Sequence, residues 1–309
     1  MAHIYIYSPS GAVRDKAAFK RGVARLKKLG HEVELDVNAL SRQTRFAGDD
    51  ATRLSAIQRA AASGADVAMI SRGGYGLTRI LPELPYKALA KAIDKGTQFV
   101  GLSDFTAFQN ALLAKTGAVT WAGPALGEDF GAEQPDDIME ACFDDMLSGQ
   151  GEGAGWRLSA ACVKAQTKAD GVWARDALLW GGNLTVLCSL LGTPFFPQVK
   201  QGVLFLEDVG EHPYRIERML TQLLHAGVLA QQKAIVLGQF TQYKLTPHDQ
   251  GFHMQSVVNW LRAHTKVPVL TDLPFGHVPT KVCLPVGATS HLLVEDRDAL
   301  LLWAHGHGL

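Results

Sequence analysis

The stretch Phe99–Thr106 reads Phe-Val-Gly-Leu-Ser-Asp-Phe-Thr and marks a change from one kind of regular structure to another. The apolar run Phe99–Leu102 has the length and composition of a buried strand, and it ends at Ser103. A helical pattern begins directly afterwards, because apolar side chains recur at the spacing of one helix face. A serine at a strand-to-helix turn holds its hydroxyl at the sheet edge, and the amide after it points towards a developing oxyanion. The stretch therefore makes Ser103 a candidate nucleophile.

A helix cap is the alternative role for Ser103. Serine is a preferred N-cap residue, because its oxygen accepts a hydrogen bond from an unpaired amide of the first turn. The pattern Gly-x-Ser-x-Phe also lacks the last glycine of the nucleophile elbow of α/β-hydrolases. Taken alone, the sequence around Ser103 favours a helix cap. The nucleophile hypothesis therefore needs a base and a carboxylate elsewhere in the chain.

Composition and charge narrow the class of protein. The chain of 309 residues is 47% hydrophobic and 19% charged, which favours two globular domains. The 30 basic residues balance the 30 acidic ones, so we expect neither nucleic acid nor a membrane as a partner. The first residues lack the basic region of a signal peptide, no apolar run reaches the length of a membrane span, and the 4 cysteines form no Cys-x-x-Cys pair. These features predict a cytoplasmic protein with reduced thiols.

The order of strand-like and helical segments predicts two domains of the α/β class. Up to about Ala125, short apolar runs alternate with amphipathic segments, which is typical of a mostly parallel sheet with helices on its faces. From about Trp156 onward the runs are shorter and turns are more frequent. We predict an N-terminal α/β domain over residues 1–133, a connecting segment over 134–174 and a C-terminal β-rich domain over 175–309. In open α/β sheets, ligands bind at the carboxyl ends of the strands.

The second half of the chain contains candidate partners for Ser103. Glu207 directly follows the apolar run Val203–Leu206, and a carboxylate at the end of a buried strand is placed to accept the Nδ1–H of a catalytic histidine. His277 lies in a loop flanked by glycine and proline after another apolar run, and it is the best-placed base among the 11 histidines. The simpler alternatives are a solvated loop carboxylate and an ordinary histidine.

A glycine-rich segment, Ser71–Gly76, follows the strand-like run Val67–Ile70. Glycines let the backbone approach a ligand closely and expose its N–H groups. One interpretation is an anion cradle, although neither phosphate-binding fingerprint is present. Another is part of an oxyanion hole, with Arg72 available for a substrate carboxylate, and a structural turn is the third. His248 and His253 lack the second ligand pair of a zinc site, so no metal is expected.

Taken together, these segments resemble the LD-carboxypeptidase family of serine peptidases, also called muramoyltetrapeptide carboxypeptidases. The resemblance extends over nearly the whole chain, and it looks closest to the cytoplasmic recycling enzymes of Gram-negative bacteria. Each matching block is short, but their order and spacing together are specific. The blocks are Ser8-Pro9-Ser10-Gly11, Phe46-Ala47-Gly48 with Arg53, Arg72–Gly76, Gly101–Thr106, Trp180–Leu184, Leu206–Asp208 with Glu211–Pro213, and Phe275–His277.

The resemblance implies a catalytic triad with Ser103 as nucleophile, Glu207 as orienting carboxylate and His277 as base. It also implies that the backbone amides of Gly74 and Asp104 form the oxyanion hole. The family fold is a three-layer α/β domain carrying the nucleophile and a β-rich domain of swivelling type carrying the other two residues. In such proteins the active site forms in the cleft between the domains, and no cofactor is implied.

The implied reaction is hydrolysis of the bond between the L-centre of diaminopimelate and the terminal D-alanine of a murein tetrapeptide. The family resemblance places it in cytoplasmic peptidoglycan recycling and implies a homodimer, and Arg72 is the candidate for substrate binding. Two alternatives remain open. One is a microcin-immunity peptidase of the same family, in which Trp173 or Trp180 would stack on a nucleobase. The other is a non-catalytic module in which the glycine-rich segment binds an anion and Ser103 is a cap.

Overall fold

The computed structural model describes residues 1–165 and 171–303. The described strands are β1 His3–Tyr7, β2 Glu32–Leu35, β3 Val67–Ile70, β4 Gln98–Gly101, β5 Thr120–Ala122, β6 Gly153–Arg157, β7 Gly171–Asn183, β8 Val203–Val209, β9 Ala234–Thr241, β10 Val269–Leu270, β11 Leu284–Val286, β12 Thr289–Glu295 and β13 Asp298–Trp303. The described α-helices are α1 Lys16–Lys28, α2 Asp50–Ala62, α3 Leu77–Ile80, α4 Tyr86–Asp94, α5 Phe105–Thr116, α6 Asp137–Ser148, α7 Ala160–Lys164, α8 Leu184–Leu190, α9 Pro213–His225 and α10 Met254–His264. Shorter helical turns lie at Leu81–Glu83, Leu126–Phe130, Leu229–Gln231 and Pro247–Asp249. Within this part of the chain, no helix combines the length and apolar character needed to cross a membrane.

Contacts divide the chain into two compact units, and the first unit is assembled from separate stretches of sequence. Those stretches are Met1–Gln150, Gly192–Pro197 and Pro279–Val286. The second unit contains Gly151–Leu191, Gln198–Val278 and the chain from Gly287 onward. Helix α6, which falls in the predicted connecting segment, contributes Met139, Phe143 and Met146 to the hydrophobic core of the first unit. The domain boundaries predicted from the sequence divide the chain into continuous segments, whereas the two units are discontinuous. Those boundaries remain a prediction.

The sheet of the first unit has the strand order β11-β5-β4-β3-β1-β2. The pairs from β2 to β5 are parallel, and β11 runs antiparallel to β5. Strand β3 is buried along its whole length, as expected for a central strand covered on both faces. The mostly parallel α/β sheet predicted from the sequence is thus confirmed. Parallel order brings the carboxyl ends of β3 and β4 to the same edge of the sheet.

Strand β11 is held in the first unit by two polar contacts of the residues before it. Lys281 Nζ lies 2.5 Å from Asp129 Oδ1, and both side chains are only 3% exposed. Thr280 Oγ1 donates a hydrogen bond of 2.6 Å to Asp136 Oδ2. Asp129 Oδ2 also accepts from the amide of Ala125 at 2.7 Å. These contacts fix a segment that is distant in sequence to the rest of the unit.

The sheet of the second unit has the strand order β10-β9-β8-β7-β12-β13-β6. Strands β10 to β7 pair in parallel, whereas β7, β12, β13 and β6 pair antiparallel. A β-rich second part was predicted, and it is confirmed. The parallel register of β7 and β8 runs from Leu179 beside Val203 to Asn183 beside Glu207. Glu207 therefore lies near the carboxyl end of the central strand β8, where the pairing with β9 shifts register between Leu206 and Asp208.

The buried ion pair of Lys281 and Asp129 should be a main determinant of stability in the first unit. Lys281→Met leaves a buried carboxylate without its cation, and we expect the free energy of unfolding to fall by about 3–5 kcal/mol. The double variant Asp129→Asn/Lys281→Met removes both charges but keeps an acceptor for the Ala125 amide, so its loss should be smaller. Urea denaturation followed by circular dichroism measures both values. Equal losses in the single and double variants would contradict the account.

Candidate active site

Ser103 lies at the turn between β4 and α5 in a strained backbone conformation. Its φ is +65°, a region that few residues other than glycine occupy. Asp104 is the N-cap residue of α5, so Ser103 lies one position before the helix cap. Sharp strand-to-helix turns of this kind present the nucleophilic serine in hydrolases. The backbone geometry therefore favours the nucleophile interpretation over the helix cap.

The glycine-rich segment after β3 lies directly against Ser103. A Cβ at Gly73 would lie 2.6 Å from Ser103 Cβ and 2.9 Å from its Oγ, so no side chain fits there. Gly74 follows with a φ of +124°, which side chains rarely permit. Gly73 therefore lies against Ser103, and the next residue, Gly74, provides one of the two predicted oxyanion donors.

Asp104, whose amide is the other predicted oxyanion donor, is anchored by its own side chain. Its buried Oδ2 accepts hydrogen bonds from Ser10 Oγ at 2.5 Å and from the amide of Leu77 at 3.0 Å. Burial raises the pKa of the Asp104 carboxyl, whereas the two hydrogen bonds favour its charged form. The side chain therefore connects the turn after Ser103 to the loop that follows β1 and to the start of α3.

Arg72 lies half-buried beside the same glycine-rich segment. A Cβ at Gly11 would lie 2.2 Å from Arg72 Nη1, and a Cβ at Gly74 would lie 2.9 Å from it, so the guanidinium rests on both backbones. Desolvation lowers the pKa of Arg72, and the nearby charge of Glu128 opposes that effect. A partly desolvated guanidinium is well suited to bind a carboxylate.

Glu207 and His277 form a hydrogen-bonded pair in the second unit. Glu207 is fully buried, and His277 Nδ1 lies 2.8 Å from Glu207 Oε2. Because an ionised carboxylate can only accept, we assign the proton to Nδ1, which leaves Nε2 of the neutral ring as the basic nitrogen. This is the arrangement in which a carboxylate orients a histidine as general base.

The loop that carries His277 is fitted closely to Glu207. Thr241 Oγ1, at the end of β9, donates a hydrogen bond of 3.3 Å to the carbonyl of His277. Gly276 has a φ of +141°, and a Cβ there would lie 3.2 Å from Glu207 Oε2 and 3.0 Å from the carbonyl of Gln239. A larger residue would press on the carboxylate that His277 contacts.

The structure brings the predicted site residues together in two groups. The first unit holds Ser103, Gly74, Asp104 and Arg72, and the second unit holds Glu207 and His277. Three further residues were not singled out from the sequence: Ser10 donates a hydrogen bond to Asp104, Asn183 donates to Glu207, and Asp208 accepts from Asn183. The available signal was their position in the blocks of family resemblance. Asn183 also ends the strand beside the one that carries Glu207.

The structure gives no support to the other binding sites considered from the sequence. Within residues 1–165 and 171–303, no three His, Cys, Asp or Glu side chains are grouped as a metal site would require. Trp173 and Trp180 are both buried, and Trp180 Nε1 donates to Gln232 Oε1 at 3.0 Å. These tryptophans are therefore core residues of the second unit and offer no exposed ring for a nucleobase.

Comparison with known proteins identifies the family. The model of the LD-carboxypeptidase N-terminal domain matches residues 4–123, and the model of the C-terminal domain matches residues 176–292. The chain belongs to the LD-carboxypeptidase family. This confirms the resemblance read from the sequence, and the protein is accordingly an enzyme of the carboxypeptidase class.

Individual relatives extend the comparison. The crystal structure of muramoyltetrapeptide carboxypeptidase from Oxalobacter formigenes is 39% identical in sequence, superposes with a TM-score of 0.87 and covers 98% of each chain. A Bacillus subtilis protein described as a "probable murein peptide carboxypeptidase" is 27% identical over 89% of this chain and 84% of its own. The microcin C7 self-immunity protein of Escherichia coli is 26% identical over 74% of this chain and 72% of its own.

The close fit at Gly276 provides a test of the Glu207–His277 pair. Gly276→Ala places a methyl group 3.2 Å from Glu207 Oε2, and we expect the resulting displacement to lower carboxypeptidase kcat/KM by about 10²-fold. Gly227→Ala is the control, because Gly227 also has a positive φ of +74° but open space around it. Steady-state kinetics on both variants give the comparison, and equal activity in the two would contradict the account.

Proposed function

We propose that this protein is a serine carboxypeptidase that removes the terminal D-alanine from murein tetrapeptides. The bond hydrolysed joins D-alanine to the L-centre of diaminopimelate. The observation that carries the proposal is the buried Glu207–His277 pair in a family member whose Ser103 has a nucleophile-type backbone. Two relatives are named for muramoyltetrapeptide and for murein peptides, which supports the same substrate class here.

In the proposed mechanism, Ser103, Glu207 and His277 act as a triad. His277 Nε2 takes the proton of the Ser103 hydroxyl as its oxygen attacks the scissile carbonyl, and Glu207 stabilises the imidazolium that forms. The amides of Gly74 and Asp104 hold the oxyanion of the tetrahedral intermediate. His277 then gives its proton to the departing amine of D-alanine. A water molecule, activated by the same histidine, releases the peptide from the acyl-enzyme.

Arg72 is proposed to bind a carboxylate of the substrate. A carboxypeptidase has to distinguish a chain end from an internal bond, and a fixed cation near the nucleophile supplies that selection. The proposal is supported by the contact of Arg72 Nη1 with the backbones of Gly11 and Gly74, since Gly74 directly follows the glycine that lies against Ser103. A planar guanidinium binds a carboxylate through two parallel hydrogen bonds, and an ammonium does not.

The proposal also covers the compartment, the oligomeric state and the source of the substrate. We propose that the enzyme acts in the cytoplasm as a homodimer, without a cofactor, on tetrapeptides returned during peptidoglycan recycling. The microcin-immunity alternative would need a surface for a nucleobase. Burial of Trp173 and Trp180 removes the two aromatic side chains considered for that purpose.

Loss of the Ser103 hydroxyl should abolish the reaction. We expect Ser103→Ala to lower kcat for release of D-alanine by about 10⁶-fold, because no other group forms the acyl-enzyme. Mass spectrometry of the D-alanine released from a tetrapeptide measures this rate. A pentapeptide, which ends in a D,D bond, is the comparison substrate. Ser189→Ala, an exposed serine of α8, is the matched control and keeps wild-type activity. Near-normal turnover by Ser103→Ala would contradict the proposal.

Substitution of Arg72 should act on substrate binding. We expect Arg72→Lys to raise KM for the tetrapeptide about 10-fold with little change in kcat, because the two-point contact is lost while the charge remains. Amidation of the contacted carboxylate should weaken binding to the wild type more than binding to the variant, which has lost the two-point contact and keeps only the attraction between opposite charges. Arg42→Ala, an exposed arginine of the same unit, is the control. An unchanged KM in Arg72→Lys would contradict this assignment.

A further inference from the structure

Asn183 contacts the carboxylate of Glu207 on the side away from His277. The two residues are register partners at the ends of the parallel strands β7 and β8. Asn183 Nδ2 lies 3.1 Å from Glu207 Oε1, whereas His277 Nδ1 lies 2.8 Å from Glu207 Oε2. Each carboxylate oxygen therefore accepts from a different side chain.

The orientation of the Asn183 amide is fixed by its other contacts. Its Oδ1 accepts from the amide of Val186 at 3.1 Å and caps α8. Its Nδ2 donates to Asp208 Oδ1 at 3.0 Å in addition to Glu207. The reversed amide would set an oxygen against two carboxylates and an NH₂ group against an N–H, so both hydrogens of Nδ2 are directed at carboxylates.

Asp208 anchors this arrangement from behind. Its Oδ2 accepts from the amide and the hydroxyl of Thr185 at 2.9 Å and 2.7 Å, and its Oδ1 also accepts from the amide of Val209 at 2.8 Å. Burial raises the pKa of Asp208, the Thr185 hydroxyl opposes this, and the charge of Glu207 raises it further. Two buried carboxyl groups are thus adjacent in sequence, and the amide of Asn183 bridges them.

We propose that Asn183 is a positioning residue, which holds the Glu207 carboxylate in the orientation that His277 requires. The terminal torsion of a glutamate is broad, so a carboxylate held by one donor can rotate. A second donor on the other oxygen removes that freedom. Asp208 sets the position of the Asn183 amide in turn. This inference rests on the proposed function, because it assumes that Glu207 orients the general base.

Two substitutions separate positioning from helix capping. Asn183→Ser and Asn183→Asp both keep an oxygen that caps α8, since these residue types cap helices about equally well, and both lose the Nδ2 donor. We expect kcat to fall about 10- to 100-fold in Asn183→Ser with KM unchanged. The loss should be larger in Asn183→Asp, because a third carboxylate then repels Glu207. Asn259→Ser, an exposed asparagine of α10, is the matched control.

The low-field proton resonance of His277 Nδ1–H gives a readout that does not depend on turnover, and its loss in His277→Gln assigns it. We expect Asn183→Ser to shift this resonance while the thermal unfolding midpoint stays close to that of the wild type. The inference would be overturned if both Asn183 variants kept the wild-type kcat and an unshifted resonance. A rise in KM without a change in kcat would also overturn it, because that result indicates a contact between Asn183 and the substrate. If the wild-type protein releases no D-alanine, the proposed function is contradicted. The resonance of His277 still tests whether Asn183 positions the Glu207 carboxylate, because it does not depend on turnover.

Discussion

A carboxylate without solvent exposure has to be paired, because an uncompensated charge in a protein interior costs several kcal/mol. Glu207 is such a group, and the edge of the second sheet is organised around it. His277 contacts one of its oxygens and Asn183 contacts the other. The parallel register of β7 and β8 sets Asn183 beside it, and the glycine at position 276 leaves room for the histidine loop. Because a buried carboxylate requires hydrogen-bond donors on its oxygens, the orientation of the histidine is a property of the fold.

The first unit meets a different constraint at Ser103. A serine at a φ of +65° is costly, by about 1–3 kcal/mol, and such a conformation persists only where neighbouring structure imposes it. Gly73 packs against the serine on one side. Asp104, the residue after the serine, is held by the hydrogen bonds that its carboxylate accepts from Ser10 and Leu77. Strain at the serine and the anchored carboxylate after it are thus parts of one local arrangement.

Local patterns in the sequence predicted the elements near the site well. The apolar run Val67–Ile70 forms β3 over the same residues, and the helix expected after Ser103 is α5. By contrast, the run Val267–Leu270 yields only the two-residue strand β10, in which Val269 and Leu270 pair with β9. Pro268 directly before it has no amide to donate to a ladder, although its carbonyl accepts from Ile235.

Long-range relations were harder to predict, for a physical reason. The segment Pro279–Val286 belongs to the first unit through a buried ion pair with a residue about 150 positions earlier, and no local pattern signals that contact. The contact of Asn183 with Glu207 could not be predicted from the sequence, because it depends on the register between β7 and β8. Glu207 and His277 were predicted as site residues from the sequence, because Glu207 directly follows an apolar run and His277 lies in a loop after another, but the hydrogen bond between them is a result of the fold.

The proposed mechanism requires Ser103 to be the reactive nucleophile. Labelling with a serine-directed fluorophosphonate, followed by intact mass measurement and peptide mapping, tests it most directly. We predict one adduct per chain, located on Ser103, and much slower labelling when His277 is replaced by glutamine. An adduct on another residue, or an active preparation that takes up no label, would contradict it.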